Sequence, residues 1–445
     1  MIFYGMIQLG GSLKLTKIRE DIEENTRSEQ ENYDNLPQNI LDKLEWFKDQ
    51  KIGVIFHWGL YSIAGIVESW QLSEEDQWAR GDHPWRNNID ELRSDYWGLN
   101  HSFSPYNFDP DEWASICKKA GFRYMLFTTK HHDGFNMYDT AYSDYKVTQS
   151  PCPYAGEQRS DIFGSVAAAF RKKDIHVGAY YSKADWHSPF YWSPDERAKG
   201  RYASYHPIEN PKRWQQFNQF AHDQLVEICR DYGDLDILWL DGGWVNTGEE
   251  ILDMDTIASD IRRYQDDLLI VDRTIGGKYE NYVTPERKIP EIPPKKAWES
   301  NIPIAKNWGF CPNDQYKSFE EILDNVIQVV ALGGNIILGV GPKPDGSLPR
   351  ESVAVLEQLG NWLNQFGFGI YDTRPAEITV PEGWYLTKKN NTIFAFARNG
   401  IAEPLPISAI TDKVTKVTNL NSKRQVSDSS LTVDTDDYYQ VYQID

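Results

Sequence analysis

Seven short apolar runs recur between residues 52 and 340 with amphipathic stretches between them, and this alternation constrains the fold more than any other feature. The runs are Ile52–His57, Tyr124–Thr129, His176–Ser182, Leu235–Leu240, Leu268–Asp272, Lys296–Glu299 and Asn335–Val340. Between them, Asp109–Ala120, Ile162–Lys173, Pro211–Tyr232, Asp253–Tyr264, Ser318–Ala331 and Arg350–Phe366 carry apolar residues at helical spacing. Strands alternating with helices predict an α/β fold with a parallel sheet covered on both faces. No Gly-x-Gly-x-x-Gly follows the first run, so a (β/α)8-like barrel is favoured over a doubly wound sheet. An eighth strand is not obvious. Asp109-Pro110-Asp111-Glu112 opens one helix with an N-cap, a first-turn proline and acidic residues at the positive end of the dipole.

After Arg374-Pro375 the pattern changes to short alternating segments, Trp384–Thr387, Thr392–Ala397, Lys413–Asn419 and Tyr438–Gln443, separated by Asn, Gly and Asp turns. That predicts a C-terminal β-sandwich over 375–445, after a barrel over 41–374 and a polar, acidic leader over 1–40. A length of 445 residues suits this division, because such a barrel takes about 250 residues.

The chain carries 66 acidic and 46 basic residues, a net charge of −20, which argues against nucleic acid or an anionic membrane surface as a partner. No stretch approaches the ~20 apolar residues of a membrane span. Cys117, Cys152, Cys229 and Cys311 are widely spaced, without a metal-ligand pattern, and read as mostly buried thiols. Residues 1–9 have a short apolar character but no basic segment and no clean cleavage site, so they give no convincing signal peptide and leave the compartment open.

Chemistry concentrates where the strands end. Leu235-Asp236-Ile237-Leu238-Trp239-Leu240 stops abruptly at Asp241-Gly242-Gly243-Trp244. Two readings stand side by side: a carboxylate delivered into a pocket with Trp244 as a wall, or a helix N-cap following a strand. His57 ends the first run, His131-His132-Asp133-Gly134-Phe135 follows the second, and Tyr181 and Trp186 come with the third. Two His-bearing turns at one barrel mouth point to ligand binding. A metal hydrolase using His131, His132 and Asp133 is disfavoured, since adjacent side chains diverge on an extended chain and no second ligand cluster accompanies them.

These pieces, with Phe56-His57-Trp58-Gly59-Leu60-Tyr61-Ser62, Phe108-Asp109-Pro110-Asp111-Glu112-Trp113, Lys130-His131-His132-Asp133-Gly134-Phe135, Trp239-Leu240-Asp241-Gly242-Gly243 and Val271-Asp272-Arg273, make residues 43–375 resemble the α-L-fucosidases of glycoside hydrolase family 29. The resemblance implies a barrel followed by a β-sandwich and cleavage of terminal α-L-fucose by retaining double displacement. It implies a fucosylated oligosaccharide or glycoconjugate as substrate, no cofactor, no metal and a periplasmic or extracellular location. By position, Asp241 is the nucleophile, and His57, His131 and His132 bind sugar hydroxyls. Tyr181 and Arg273 match residues near the nucleophile and the sugar. Trp58, Trp70 and Trp186 are candidates for apolar contact with the sugar.

For the general acid/base, Glu286 in Thr284-Pro285-Glu286 is preferred over Glu299, which ends a predicted strand. The Glu286 position resembles the subgroup acting on α1,3/α1,4-linked fucose in branched glycans. The chain departs from the family pattern at Glu68-Ser69-Trp70, at Ile337-Leu338-Gly339-Val340 and at Phe366-Gly367-Phe368-Gly369-Ile370-Tyr371. Alternative functions are an α-L-galactosidase on the same scaffold and a non-catalytic sugar-binding barrel, whose hallmark would be loss of the nucleophile.

Overall fold

The computed structural model describes residues 36–82, 84–411 and 414–445, so most of the expected leader lies outside the described residues. The first element among the described residues is helix α1 (Gln38–Gln50), which starts slightly ahead of the expected boundary at 41. The reason is Ile40, which with Leu44 and Phe47 forms an i, i+4, i+7 stripe buried against the floor of the sheet. Phe47 stacks on Tyr282 at 4.2 Å between ring centroids.

The sheet strands are β1 (Ile52–Phe56), β2 (Tyr124–Lys130), β3 (His176–Ser182), β4 (Ile237–Asp241), β5 (Leu269–Asp272), β6 (Glu299–Pro303) and β7 (Asn335–Val340). All neighbours pair in parallel in the order β5-β4-β3-β2-β1-β7-β6. The covering helices are α2 (Pro110–Lys119), α3 (Ile162–Arg171), α4 (Pro211–Asp231), α5 (Met254–Ile261), α6 (Phe319–Ala331) and α7 (Arg350–Phe366). Local chemistry sets their ends. Asp109 accepts the Asp111 and Glu112 amides ahead of Pro110, and Ser318 with Glu321 closes a reciprocal capping box at α6.

The sheet is a curled, incompletely closed barrel of seven strands. Residues 280–287 lie in the gap between β5 and β6, where Val283 and Glu286 bridge Trp298 and Asn301 in parallel and Glu280 bridges Val271. Pro285 has no amide to donate, so this segment makes isolated bridges instead of a continuous ladder. That is why no eighth strand is legible as an apolar run.

One predicted boundary is corrected. The sixth strand is Glu299–Pro303 and not Lys296–Glu299, so Glu299 begins the strand at the barrel floor, paired with Asn335 at the start of β7.

The C-terminal module is a six-stranded antiparallel sheet, built around Thr392–Arg398, Trp384–Lys389 and Tyr439–Ile444, with a separate two-stranded ribbon of Leu405–Pro406 and Ser430–Leu431. The strand expected over 413–419 forms at Val417–Asn419, and Lys413 lies outside the described residues. Alternation divides the faces: Ala395, Ala397 and Ile444 meet the ribbon, whereas Phe394, Phe396 and Val441 join the barrel core. Tyr438, Tyr439 and Arg398 anchor the sheet to Asp324 of α6. All four cysteines are free thiols, and three are buried. Among the described residues no helix is long and apolar enough to cross a membrane.

Candidate active site

Strand parity decides which side chains reach the mouth. In β4, Ile237 and Trp239 face the barrel interior while Leu238 and Leu240 face the helices, which puts Asp241 on the interior side one layer above Trp239. The next helix begins only at Met254 under its own N-cap, Asp253, so Asp241 is a pocket carboxylate and not a helix cap. Gly243 is required here, because a Cβ would lie 1.9 Å from Thr274 Oγ1.

Asp241 stands in a cavity of about 740 Å³ at the mouth. Its Oδ2 accepts from the Tyr180 hydroxyl at 2.6 Å and its Oδ1 from Arg273 Nη1 at 3.0 Å. The second terminal nitrogen of the same guanidinium, Nη2, donates to Glu286 Oε2 at 2.5 Å. Arg273 Nε donates to Thr284 Oγ1 at 3.1 Å, and the group lies over the Trp239 ring at 4.8 Å. Arg273 thus ties β5 to the gap segment and suspends two carboxylates over one pocket. Burial alone would raise the pKa of Asp241, but the Arg273 charge and the Tyr180 and Gly242 donors outweigh it and hold the carboxyl well below its usual range. For Glu286, burial likewise acts upwards and Arg273 outweighs it, so its pKa is also lowered.

The three histidines are neutral for a common reason. Burial disfavours the imidazolium, pushing His131 down to about 4 and His57 and His132 well below their usual value. His131 Nδ1 meets Ser69 Oγ at 2.6 Å and His132 Nδ1 meets Ser182 Oγ at 2.7 Å. His57 and His131 line the cavity. His132 sits one layer behind it, ringed by Trp70, Trp186 and Trp244, with Nε2 3.9 Å from Asp241 Oδ2.

Four expected site residues lie elsewhere. Tyr181 points at the helix layer and donates to Gln224 Oε1 at 2.9 Å, because its neighbour Tyr180 holds the interior position. Trp58 falls on the outer side of β1 by the same parity, packed among Phe103, Phe108 and Trp113. Trp186 stacks on Trp192 at 4.9 Å, behind Trp70. Glu299 is fully buried at the barrel floor, bonded to the Tyr124 hydroxyl at 2.5 Å, and burial raises its pKa to about 8. Trp70 does line the cavity.

Two other cavity residues, Trp308 and Glu68, are given no role by the sequence alone. Trp308 stacks on His57 at 5.1 Å and donates from Nε1 to Glu286 Oε1 at 3.3 Å. It fits because residue 339 is glycine, where a Cβ would lie 2.5 Å from its ring. Glu68, at φ 34°, accepts the Gly309 amide at 2.8 Å, and burial raises its pKa to about 7.

His131, His132 and Asp241 each offer a ligand atom within 4.8 Å of the others. The expected divergence of adjacent histidines fails because the chain leaves the strand after Lys130 and turns, Gly134 N donating to His131 O at 3.0 Å. Asp133 turns away and accepts from Tyr96 at 2.6 Å. A dication would nevertheless have to compete with the Arg273 cation and displace the donors on both oxygens of Asp241. Activity is therefore expected to survive exhaustive EDTA treatment unchanged. Stoichiometric zinc whose removal abolishes turnover would overturn this expectation.

A barrel whose mouth holds two carboxyl groups on one arginine, among neutral histidines and indole walls, defines a glycoside hydrolase. The family model described as Alpha-L-fucosidase matches residues 18–368, and the chain belongs to that family. Tissue alpha-L-fucosidase of Homo sapiens is 26% identical over 394 residues, covering 83% of this chain and 80% of its own. Alpha-L-fucosidase of Dictyostelium discoideum is 26% identical over 374 residues, covering 79% and 77%. Among solved structures, alpha-L-fucosidase isoenzyme 1 from Paenibacillus thiaminolyticus superposes with a TM-score of 0.77 at 28% identity, covering 91% of this chain and 99% of that one.

Proposed function

We propose that the chain hydrolyses terminal α-L-fucosides with retention, Asp241 acting as nucleophile and Glu286 as general acid/base. The observation that carries this reading is the attachment of both carboxylates to the two terminal nitrogens of Arg273. Sharing one guanidinium keeps both carboxyl groups on the same pocket, and a retaining pair works at a spacing of ~5–5.5 Å. Asp241, ionised throughout the physiological range, attacks the anomeric carbon while Glu286 gives a proton to the departing oxygen. Glu286 then deprotonates the water that releases fucose from Asp241. The Thermotoga maritima alpha-fucosidase, solved in complex with a mechanism-based inhibitor, matches with a TM-score of 0.70 at 26% identity, which supports a covalent route.

Neutral His57 and His131 each have Nε2 to offer a sugar hydroxyl, as donor or acceptor according to tautomer, since His131 Nδ1 is taken by Ser69 and His57 Nδ1 is buried. Trp70, Trp239 and Trp244 offer apolar surface for the C6 methyl group. The finer reading is the α1,3/α1,4 subgroup, supported by the position of Glu286 and by a cavity of about 740 Å³ that Trp78 and Lys306 line as well as the two carboxylates. Binding energy from a second sugar would position the scissile bond. The test is a panel of aryl α-L-fucoside, aryl α-L-galactoside and α1,2-, α1,3- and α1,4-fucosylated oligosaccharides. The expected order in kcat/KM is branched α1,3/α1,4 substrates first and the galactoside last. A higher value on the aryl fucoside than on every branched substrate would remove the subgroup assignment, and a preference for the galactoside would replace fucose as the sugar.

A further inference from the structure

The cavity rim beside Glu286 is basic, in a chain of net charge −20. Arg287, Lys288 and Lys306 line it, and Arg80 reaches it from the excursion after β1. Three carboxylates share the cavity, but Asp241 and Glu286 are engaged by Arg273 and Glu68 is buried on the Gly309 amide. Arg287 also faces Glu286, and around the whole cavity five cationic side chains, Arg80, Arg273, Arg287, Lys288 and Lys306, stand with these three carboxylates.

Arg287 is built into place. Its φ is 54°, a left-handed conformation that is strained outside glycine. Its amide donates to Asn301 O at 2.8 Å, its Nη1 donates to Lys306 O at 2.7 Å, and the guanidinium lies 5.3 Å above the Trp308 ring. Its Nε stands 3.8 Å from Glu286 Oε1, and 42% of the side chain stays exposed. Lys306, whose backbone carbonyl takes the Arg287 bond, is itself exposed. Arg80 Nη2 donates to the carbonyls of Arg86 and Asn87.

We propose that this rim is an acceptor subsite for an anionic glycan, in which the sugar bearing fucose or its neighbour carries a sulfate or a carboxylate. The inference rests on the fucosidase reading and names its substrate class. Glu286 protonates the glycosidic oxygen, and the Arg287 guanidinium, with Nε 3.8 Å from Glu286 Oε1, is within reach of the sugar beyond that oxygen. A planar guanidinium fork held on one side by a carbonyl and an indole is preorganised for a two-oxygen anion, and Lys306 adds a point charge. A neutral acceptor would gain nothing from so much positive charge.

The experiment is steady-state kinetics on four substrates at about 20 mM and about 500 mM salt. They are 4-nitrophenyl α-L-fucoside, a trisaccharide with fucose and galactose on one N-acetylglucosamine, and its 3′-O-sulfated and 3′-O-sialylated forms. At low salt at least one anionic form is expected to exceed the neutral trisaccharide about tenfold in kcat/KM, with most of that advantage lost at high salt. Lys306→Glu should cut the anionic-to-neutral ratio about tenfold. The two anionic arms distinguish sulfate from carboxylate. Cleavage of the neutral trisaccharide with no advantage for either anionic form would overturn the subsite and leave the fucosidase reading intact. An anionic preference untouched by Lys306→Glu and by Arg287→Gln would also overturn it. Failure to release fucose from all four substrates would overturn both readings.

Discussion

Asp241→Ala is expected to lower fucoside turnover by about 10⁴-fold or more, a loss of roughly 5 kcal/mol of transition-state stabilisation. The attacking oxygen has no substitute. Glu286 occupies the other end of the Arg273 guanidinium, Tyr180 has its hydroxyl pKa raised well above its usual value by burial and by Asp241, and His132 is held behind the cavity among three indoles. The fold should persist, because Arg273 keeps its ion pair with Glu286 and its bond to Thr284. Thermal melting of wild type and variant separates the two effects. A folded variant that retains more than a few per cent of wild-type activity would take the nucleophile role from Asp241.

The second large effect falls on Glu286. Glu286→Ala should depress hydrolysis of oligosaccharides by about 10²–10⁴-fold while sparing an aryl fucoside with a good leaving group, and azide should rescue the second step. The wild-type pH profile follows from the same ion pair. The first step needs the proton on Glu286, whose pKa in the free enzyme is lowered by Arg273 against the upward push of burial. That proton is lost in the acid range, so kcat/KM should rise as pH falls from about 7 to about 5, and Glu286→Gln should remove the dependence. Glu299→Gln is the control. At the barrel floor, already protonated at neutral pH, Glu299 should tolerate the amide with little change in either substrate's kinetics. If Glu299→Ala gives the leaving-group dependence and azide rescue while Glu286→Ala does not, the two roles must be exchanged.

Much of this site was legible in the sequence because apolar runs mark barrel strands and chemistry collects where they end. Asp241, His57 and His131 stand out that way, Arg273 is implied by the family resemblance, and all four line the cavity. What escaped was parity and phase. Tyr181 and Trp58 are adjacent to the interior residues Tyr180 and His57, and a period of two sends neighbours to opposite faces of the sheet. Counting back from Asp241 through Trp239 to Ile237, and aligning β3 to β4, would have selected Tyr180, but that register exists only in the folded sheet. Glu299 was misplaced by phase, since Lys296–Glu299 and Glu299–Pro303 are both plausible short strands and only the pairing with Asn335 decides between them. The eighth position of the barrel was hidden by Pro285. Trp308 carried no signal, because the Gly339 that makes room for it is distant in sequence.

The most direct test of the central claim is to trap the glycosyl-enzyme. The protein would be incubated with a 2-deoxy-2-fluoro-α-L-fucosyl fluoride, which slows breakdown of the intermediate more than its formation. Intact-mass spectrometry and peptide mapping would then locate the label. A single adduct on the peptide containing Asp241, lost in Asp241→Ala, is the predicted result; an enzyme that cleaves fucosides but forms no adduct, or one labelled at Glu286, would contradict the account.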